Sequence, residues 1–443
     1  MRLFFPCTTD WNKHMKKRTT KTRWLLSSLS IALLLSGCSS IGKGAMEAFL
    51  EKSENEDTRQ CQVWGQPFTG IESEIANKNK HTKVLFVHGV GDHIPGYTTE
   101  FLEKLAKDLN LNERSLEQKN IELVAPLLPD KNLGNLRVTH LLNEQNGQEL
   151  TFYELTWSEI TRAEKKMLAF DTSGDYDFRR AKINGLLKKF SNDAGADPVI
   201  YGGESRVPIL MAFSQSICWM TTGDFQNLPK SGKQMCNGLN DEAIEYINRD
   251  NYVFISHSLG SRIVTDGLDR LVGMLANPEK YTVGNKKVNM TAKSIEALQN
   301  KRVPIYMLSN QLPMLQLGRK PPEVAGKDVS YCQANGANYN KRMFKETDIV
   351  AFSDPNDLLS YAIPQEFAEK YIDSRLCAKI TNVNINIAKV MDAFGLTDLA
   401  NPMAAHIGYD TDDRVVALIA QGIGTKAEAP LIKKRCTFTK EVK

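Results

Sequence analysis

Val253-Phe254-Ile255-Ser256-His257-Ser258-Leu259-Gly260-Ser261 is an apolar run that stops at a serine and then resumes with helical spacing. Tyr252 to Ile255 is short and rich in β-formers, as expected of a strand buried on both faces of a parallel sheet. Ile263, Val264, Leu268, Leu271, Val272 and Leu275 then recur every three or four residues, which predicts a helix packing one face on that sheet. Only a tight turn can join the two. Such a turn holds its serine in a strained conformation at the carboxyl edge of the sheet, where small neighbours relieve crowding. Ser256, Gly260 and Ser261 are small, with Ser256 standing where the G-x-S-x-G pattern has its first glycine. Ser258 is therefore the candidate nucleophile.

The other segments fall around this one. Lys83 to Val87 is an apolar strand running into His88-Gly89-Val90-Gly91-Asp92-His93, with a helix expected from about Tyr97 to Leu109. A strand, an H-G-x-G turn and a helix together can supply one backbone N–H to an oxyanion hole, the second coming from the residue after the nucleophile. This nominates Val90 and Leu259. Imidazole and carboxylate also suit zinc, but no second ligand cluster accompanies His88, Asp92 and His93, so neither a metal nor another cofactor is expected. Leu136–Leu142 and Glu149–Trp157 predict two strands joined at Asn146-Gly147, a hairpin-type turn. From 158 to about 240 the pattern turns mainly helical, which suggests an inserted cap. Its apolar set, including Ile209, Met211, Phe213 and Trp219, suits either ordinary core or an acyl pocket. Pro304–Leu308, Asp348–Phe352 and Ile380–Ile387 are further strands, and a terminal helix is expected over Asp412–Gln421. Two carboxylates, Asp354 and Asp357, follow the second of these strands, and His406 is the one histidine beyond them.

With 443 residues, 42% of them hydrophobic, the chain can bury a large core. The formal charge of +4 includes a basic leader, so nothing points to nucleic acid. In that leader Lys13, Lys16, Lys17, Arg18, Lys21 and Arg23 precede an apolar stretch, Trp24–Leu35, of about a dozen residues, typical of a signal-peptide core. Met1 or Met15 could be the start. Leu35-Ser36-Gly37-Cys38 resembles the bacterial lipobox, which implies a signal peptide over 1–37 and lipidation of Cys38. Ser39 and Ser40 lack an aspartate, which in that resemblance implies the outer membrane, facing the periplasm. Residues 38–80 are polar and are expected to form a tether, with the folded domain over 81–443. Six cysteines remain beyond the leader and Cys38, and an oxidising compartment allows up to three disulfides, with Cys218–Cys236 favoured because they bracket a loop.

The order Ser258, acid, His406, each beside an expected strand, resembles the α/β-hydrolase fold, and the chain as a whole resembles a bacterial α/β-hydrolase lipoprotein over residues 80–425. The resemblance implies a mostly parallel sheet flanked by helices and a serine esterase or lipase acting on acyl esters. Thioesters, amides, or a catalytically silent binding role are the alternatives. It also favours Asp357 over Asp354, because Asn356-Asp357-Leu358-Leu359 is similar to the acid loop of bacterial lipases; Asp354 remains the alternative acid.

Overall fold

The computed structural model describes residues 59–439 except 78, 114–117, 126–128, 171–180, 182–183, 186–187, 190, 237–240, 242, 277–290, 327, 393–397 and 426–427. The signal peptide expected over 1–37, Cys38 and the first part of the expected tether therefore lie outside the described residues. Residues 57–178 with 188–443 form one compact unit, which carries everything that follows.

This unit is α/β, built on a twelve-stranded, mostly parallel sheet. Its strands in chain order are β1 (Cys61–Gly65), β2 (Thr82–Val87), β3 (Asn112–Glu113), β4 (Lys119–Leu123), β5 (Asn135–Asn143), β6 (Gln148–Thr156), β7 (Ser231–Gln234), β8 (Asn251–His257), β9 (Arg302–Leu308), β10 (Glu346–Ser353), β11 (Ala378–Ile385) and β12 (Cys436–Thr439). The spatial order is β12-β1-β11-β10-β9-β8-β2-β6-β5-β4-β7, with β3 paired to β5 off this path. Six neighbours from β11 to β6 are parallel. β1 joins β11, and β5 joins β6, in the antiparallel sense.

The central strands are mainly apolar because both faces are covered. Alternate side chains point to opposite faces. Val84, Phe86, Val253 and Ile255 pack with Phe101 and Leu105 of helix α1 (Thr99–Asp108) and with Val415, Val416 and Ile419 of a helix near the C-terminus, Asp413–Gln421. Leu85, Val87 and Phe254 pack with Ile209 and Phe213 of α2 (Arg206–Thr221) and with Ile263, Val264 and Leu268 of α3 (Gly260–Ala276). The helix that sequence spacing predicts after Ser258 is thus present, with its apolar stripe on the sheet.

Two expectations require correction. The tether expected over 38–80 does not hold from Cys61 on, because Cys61–Gly65 is a strand whose Cys61 and Val63 are buried and whose backbone pairs with both β11 and β12. The polar composition around it conceals an alternating pattern too short to stand out. The segment 158–240 is not simply a cap. Its helix α2 is apolar on every side and lies in the core against the sheet, and its strand β7 extends the sheet at one edge. An all-round apolar helix needs cover on all sides, which the sheet and α3 provide.

The six cysteines of the folded part lie in three disulfide pairs. Cys218–Cys236, the pair favoured from sequence, has its Cα atoms 5.9 Å apart, Cys61–Cys436 4.5 Å and Cys332–Cys377 5.4 Å. Cys61–Cys436 links the first and last strands of the sheet, which run parallel side by side.

Candidate active site

Parallel strands bring their carboxyl ends to one edge, and the turns after β2, β8, β9 and β10 converge there. Ser258 follows β8 directly and has φ of 54°, the left-handed region that is costly for any residue with a Cβ. Its N–H donates to the Leu308 carbonyl at 2.9 Å, which ties the turn to the end of β9. Two glycines permit the crowding. A Cβ on Gly260 would lie 2.3 Å from the Val87 carbonyl oxygen, and one on Gly89 would lie 2.5 Å from the Ser258 Cβ. The H-G-x-G turn is therefore pressed against the serine, which is where the sequence pattern needs Val90 and Leu259 to be neighbours.

His406 sits on a short helix, α4 (Pro402–Ile407), started by Asn401, whose side chain accepts from the Met403 and Ala404 N–H groups. Its Nε2 lies 3.1 Å from the Ser258 Oγ and its Nδ1 lies 2.9 Å from Asp357 Oδ1. All three residues are buried. Burial pushes the Asp357 carboxyl up, but hydrogen bonds from His406, Ser309 and the Leu359 N–H outweigh this and hold it below the usual carboxylate range. An ionised Asp357 can only accept, so Nδ1 carries the ring proton and Nε2 offers its lone pair to Ser258.

Asp354 has a different task. Its Oδ2 accepts from the Ile387 and Ala388 N–H groups at 2.6 and 3.0 Å, and its Oδ1 accepts from the Asn356 N–H at 2.7 Å. Every direct tie to His406 from this loop comes from Asp357.

The loop after β2 is held from outside. Asp197, fully buried, accepts from the Gly91 N–H at 2.7 Å and from Thr161 Oγ1 at 2.9 Å, and Lys165 lies 3.3 Å away while also pairing with Asp92. Glu154 accepts from the Gly96 N–H and, at 3.1 Å, from the Thr98 N–H. His88 stacks on Trp157 at 4.6 Å, and its Nε2 accepts from the Trp157 N–H at 3.1 Å while Nδ1 lies 2.8 Å from the Gly89 carbonyl. Both ring nitrogens are thus engaged within the protein. His93 packs its ring on His88 and its Nε2 lies 3.2 Å from the Val90 carbonyl. His257, the neighbour of Ser258, turns away from it and places Nε2 2.9 Å from the His406 carbonyl. Among the described residues there is no group of three or more His, Cys, Asp or Glu side chains arranged to hold a metal ion.

Compared with known protein families, curated proteins and solved structures, the chain matches none.

Sequence reasoning passed over Ser309, Tyr409 and Asp197. Ser309 Oγ donates to Asp357 Oδ2 at 2.7 Å, and the Tyr409 hydroxyl approaches the same oxygen at 3.3 Å. A signal for Ser309 was present, since it follows an apolar strand just as Ser258 does. Asp197 carried none: it meets Gly91 across 106 positions of chain.

Proposed function

We propose that this protein is a serine hydrolase of the α/β-hydrolase type that cleaves acyl esters through an acyl-enzyme. The observation that carries the reading is the hydrogen-bonded line Ser258–His406–Asp357 with Ser258 held at positive φ past a central parallel strand. His406 takes the Ser258 proton at Nε2 as Oγ attacks the acyl carbonyl, and Asp357 keeps the tautomer and supports the resulting imidazolium. The Val90 and Leu259 N–H groups receive the developing oxyanion, with the positive end of α3 behind Leu259. His406 returns the proton to the leaving alcohol, and water repeats the sequence to release the acid. Leu358 and Ile407, next in sequence to Asp357 and His406, are exposed apolar side chains, a surface suited to an acyl chain. Thioesters and amides are variants of the same chemistry.

Through Cys38 the protein is proposed to be lipid-anchored in a bacterial envelope, at the outer membrane and facing the periplasm. Among the described residues no helix is long and apolar enough to cross a membrane.

One observation favours a second reading, a catalytically silent scaffold that binds without turnover: Ser258 has no exposed surface. A fluorophosphonate probe separates the two. Labelling of the folded protein that disappears in Ser258→Ala is the result expected of the hydrolase. A folded protein that is never labelled and turns over no activated ester is the silent scaffold.

A further inference from the structure

Ser309 stands between the turn that carries Ser258 and the loop that carries Asp357. The Ser258 N–H donates to Leu308, just before it, and the Asn310 N–H, just after it, donates to the Phe352 carbonyl of β10 at 2.9 Å. Ser309 is fully buried and has φ of 47°. Among the described residues, the non-glycine positions with positive φ are Asn110, Ser258, Ser309 and Cys377, so two of the four lie at this edge. Glycine adopts that conformation without the steric cost, so keeping a serine there retains strain for the sake of a side chain.

That side chain makes two contacts in the site. Its Oγ lies 2.7 Å from Asp357 Oδ2 and 2.9 Å from His406 Nδ1. A hydroxyl has one proton, and the carboxylate can only accept, so Ser309 donates to Asp357 and turns a lone pair toward the ring N–H. The Nδ1–H proton is then shared by two acceptors, Asp357 Oδ1 and Ser309 Oγ, each 2.9 Å away. One acceptor leaves the imidazole free to swing about its Cβ–Cγ bond, whereas two restrict that swing, and the same hydroxyl keeps the Asp357 carboxylate from rotating. When Nε2 takes the Ser258 proton, both acceptors already face the positive ring and nothing needs to reorganise.

We propose that Ser309 is a fourth, positioning residue of this site, whose hydroxyl bridges Asp357 and His406 and so aims Nε2 at Ser258; its role in catalysis rests on the serine-hydrolase reading above. The Ser309 proton stays on Ser309 throughout.

The test uses Ser309→Ala and Ser309→Gly in the full-length protein. Both remove the hydroxyl, but glycine also removes the backbone strain, so it guards against a variant that merely misfolds. Three quantities are measured: kcat and KM on an activated ester, thermal unfolding, and the low-field proton resonance of His406 Nδ1–H. Both variants are expected to lower kcat by about 10- to 100-fold with KM changed less than about 2-fold. Their Nδ1–H resonance moves upfield and exchanges faster with water, and Ser309→Gly unfolds no earlier than wild type. An unchanged kcat and resonance in folded Ser309→Gly overturns the proposal. So does recovery by glycine of what alanine loses, because the backbone would then be the cause. If the wild type neither labels at Ser258 nor turns over any ester, the hydrolase reading falls by itself, and the resonance alone decides whether Ser309 positions the ring.

Discussion

The loop His88–Tyr97 after β2 and the loop Asp354–Tyr361 after β10 leave the same edge of the sheet, but the backbone N–H groups of the first are gripped by side chains from elsewhere, whereas the second adds bonds of its own to those it makes with Ser309, Asn310 and Tyr409. In the first, Asp197, Glu154 and Ser158 reach in to bond the backbone of Gly91, Gly96, Thr98 and His93. In the second, Asp354 accepts from the Asn356 N–H, Asp357 accepts from the Leu359 N–H at 3.0 Å, and the Asp357 N–H returns to the Asp354 carbonyl at 3.0 Å. The difference follows from what each loop presents. A loop that offers backbone N–H groups beside a serine must be glycine-rich to come close, and glycines bring no side chains with which to lock themselves. A loop that delivers a carboxylate can close on itself through an Asx turn while the same oxygen, Asp357 Oδ1, also accepts from the histidine.

The largest effect should separate the two acids of the second loop. Asp357→Asn removes the carboxylate that fixes the His406 tautomer and is expected to lower kcat by about 10⁴-fold, the usual cost of losing the orienting acid of such a triad, with folding retained. Asp354→Asn should keep kcat within about 3-fold of wild type yet cost about 1–3 kcal/mol of stability, because the Ile387 and Ala388 N–H groups lose a charged acceptor in a buried place. Kinetics on one activated ester, alongside thermal unfolding of both variants, checks this. A collapse of turnover in folded Asp354→Asn with near-normal Asp357→Asn would reverse the assignment.

An intermediate effect is expected from the first loop. Asp197→Ala leaves the Gly91 N–H without its carboxylate and Lys165 with only the Asp92 carboxylate and the Asp193 carbonyl, so the turn holding Val90 should loosen. Turnover is expected to drop by about 10²-fold, comparable with loss of one oxyanion donor, while Asp197→Asn, which still offers an oxygen, should fall between alanine and wild type. The rate of fluorophosphonate labelling at Ser258 should follow the same order. Equal labelling rates in all three folded proteins would mean that the outside grip is dispensable and that the contrast between the loops has no functional weight.

How far the sequence revealed these features depends on the distance over which each is determined. Strand, turn and helix around Ser258 are local patterns, and the periodicities of Val84–Val87 and Ile263–Val272 place them on the sheet correctly. His406 was reachable by order along the chain, but its helix was not foreseen, although Asn401-Pro402 is a standard helix start. Asp354 and Asp357 share a loop and a composition; turn chemistry alone does not say which one meets His406, since that depends on β11 and α4. Cys61–Gly65 reads as tether because its neighbours on the sheet lie more than 300 positions away. The apolar residues of α2 showed that it would be covered but not by what.

The smallest effect concerns acid, and it should reach the two loops at different pH. Burial, with His93 nearby, holds the His88 imidazole well below its usual 6.5, and burial likewise lowers His93. The folded first loop therefore keeps both rings neutral where the unfolded chain begins to bind protons. With more protons bound in the unfolded state, stability is complete above about pH 6.5 and declines as pH falls below it, by at most about 1.4 kcal/mol per pH unit for each ring. Asp197 acts in the opposite sense, since burial raises its carboxyl, but only nearer the carboxylate range, around and above 3.8. In the second loop the relevant group is Asp357, held below 3.8, so its contribution is present above the unfolded value and is lost only as pH falls through its folded one. Between pH 7 and pH 5 the first loop alone should weaken. Amide hydrogen exchange, corrected for the intrinsic effect of pH, should show protection falling at Gly91, Gly96 and Thr98 while that of Asp357 and Leu359 stays level. His88→Gln, which cannot take the proton, should reduce the loss in the first loop. Parallel loss in both loops over this range would show that the histidines do not set the acid response, and that the first loop is no more sensitive than the second.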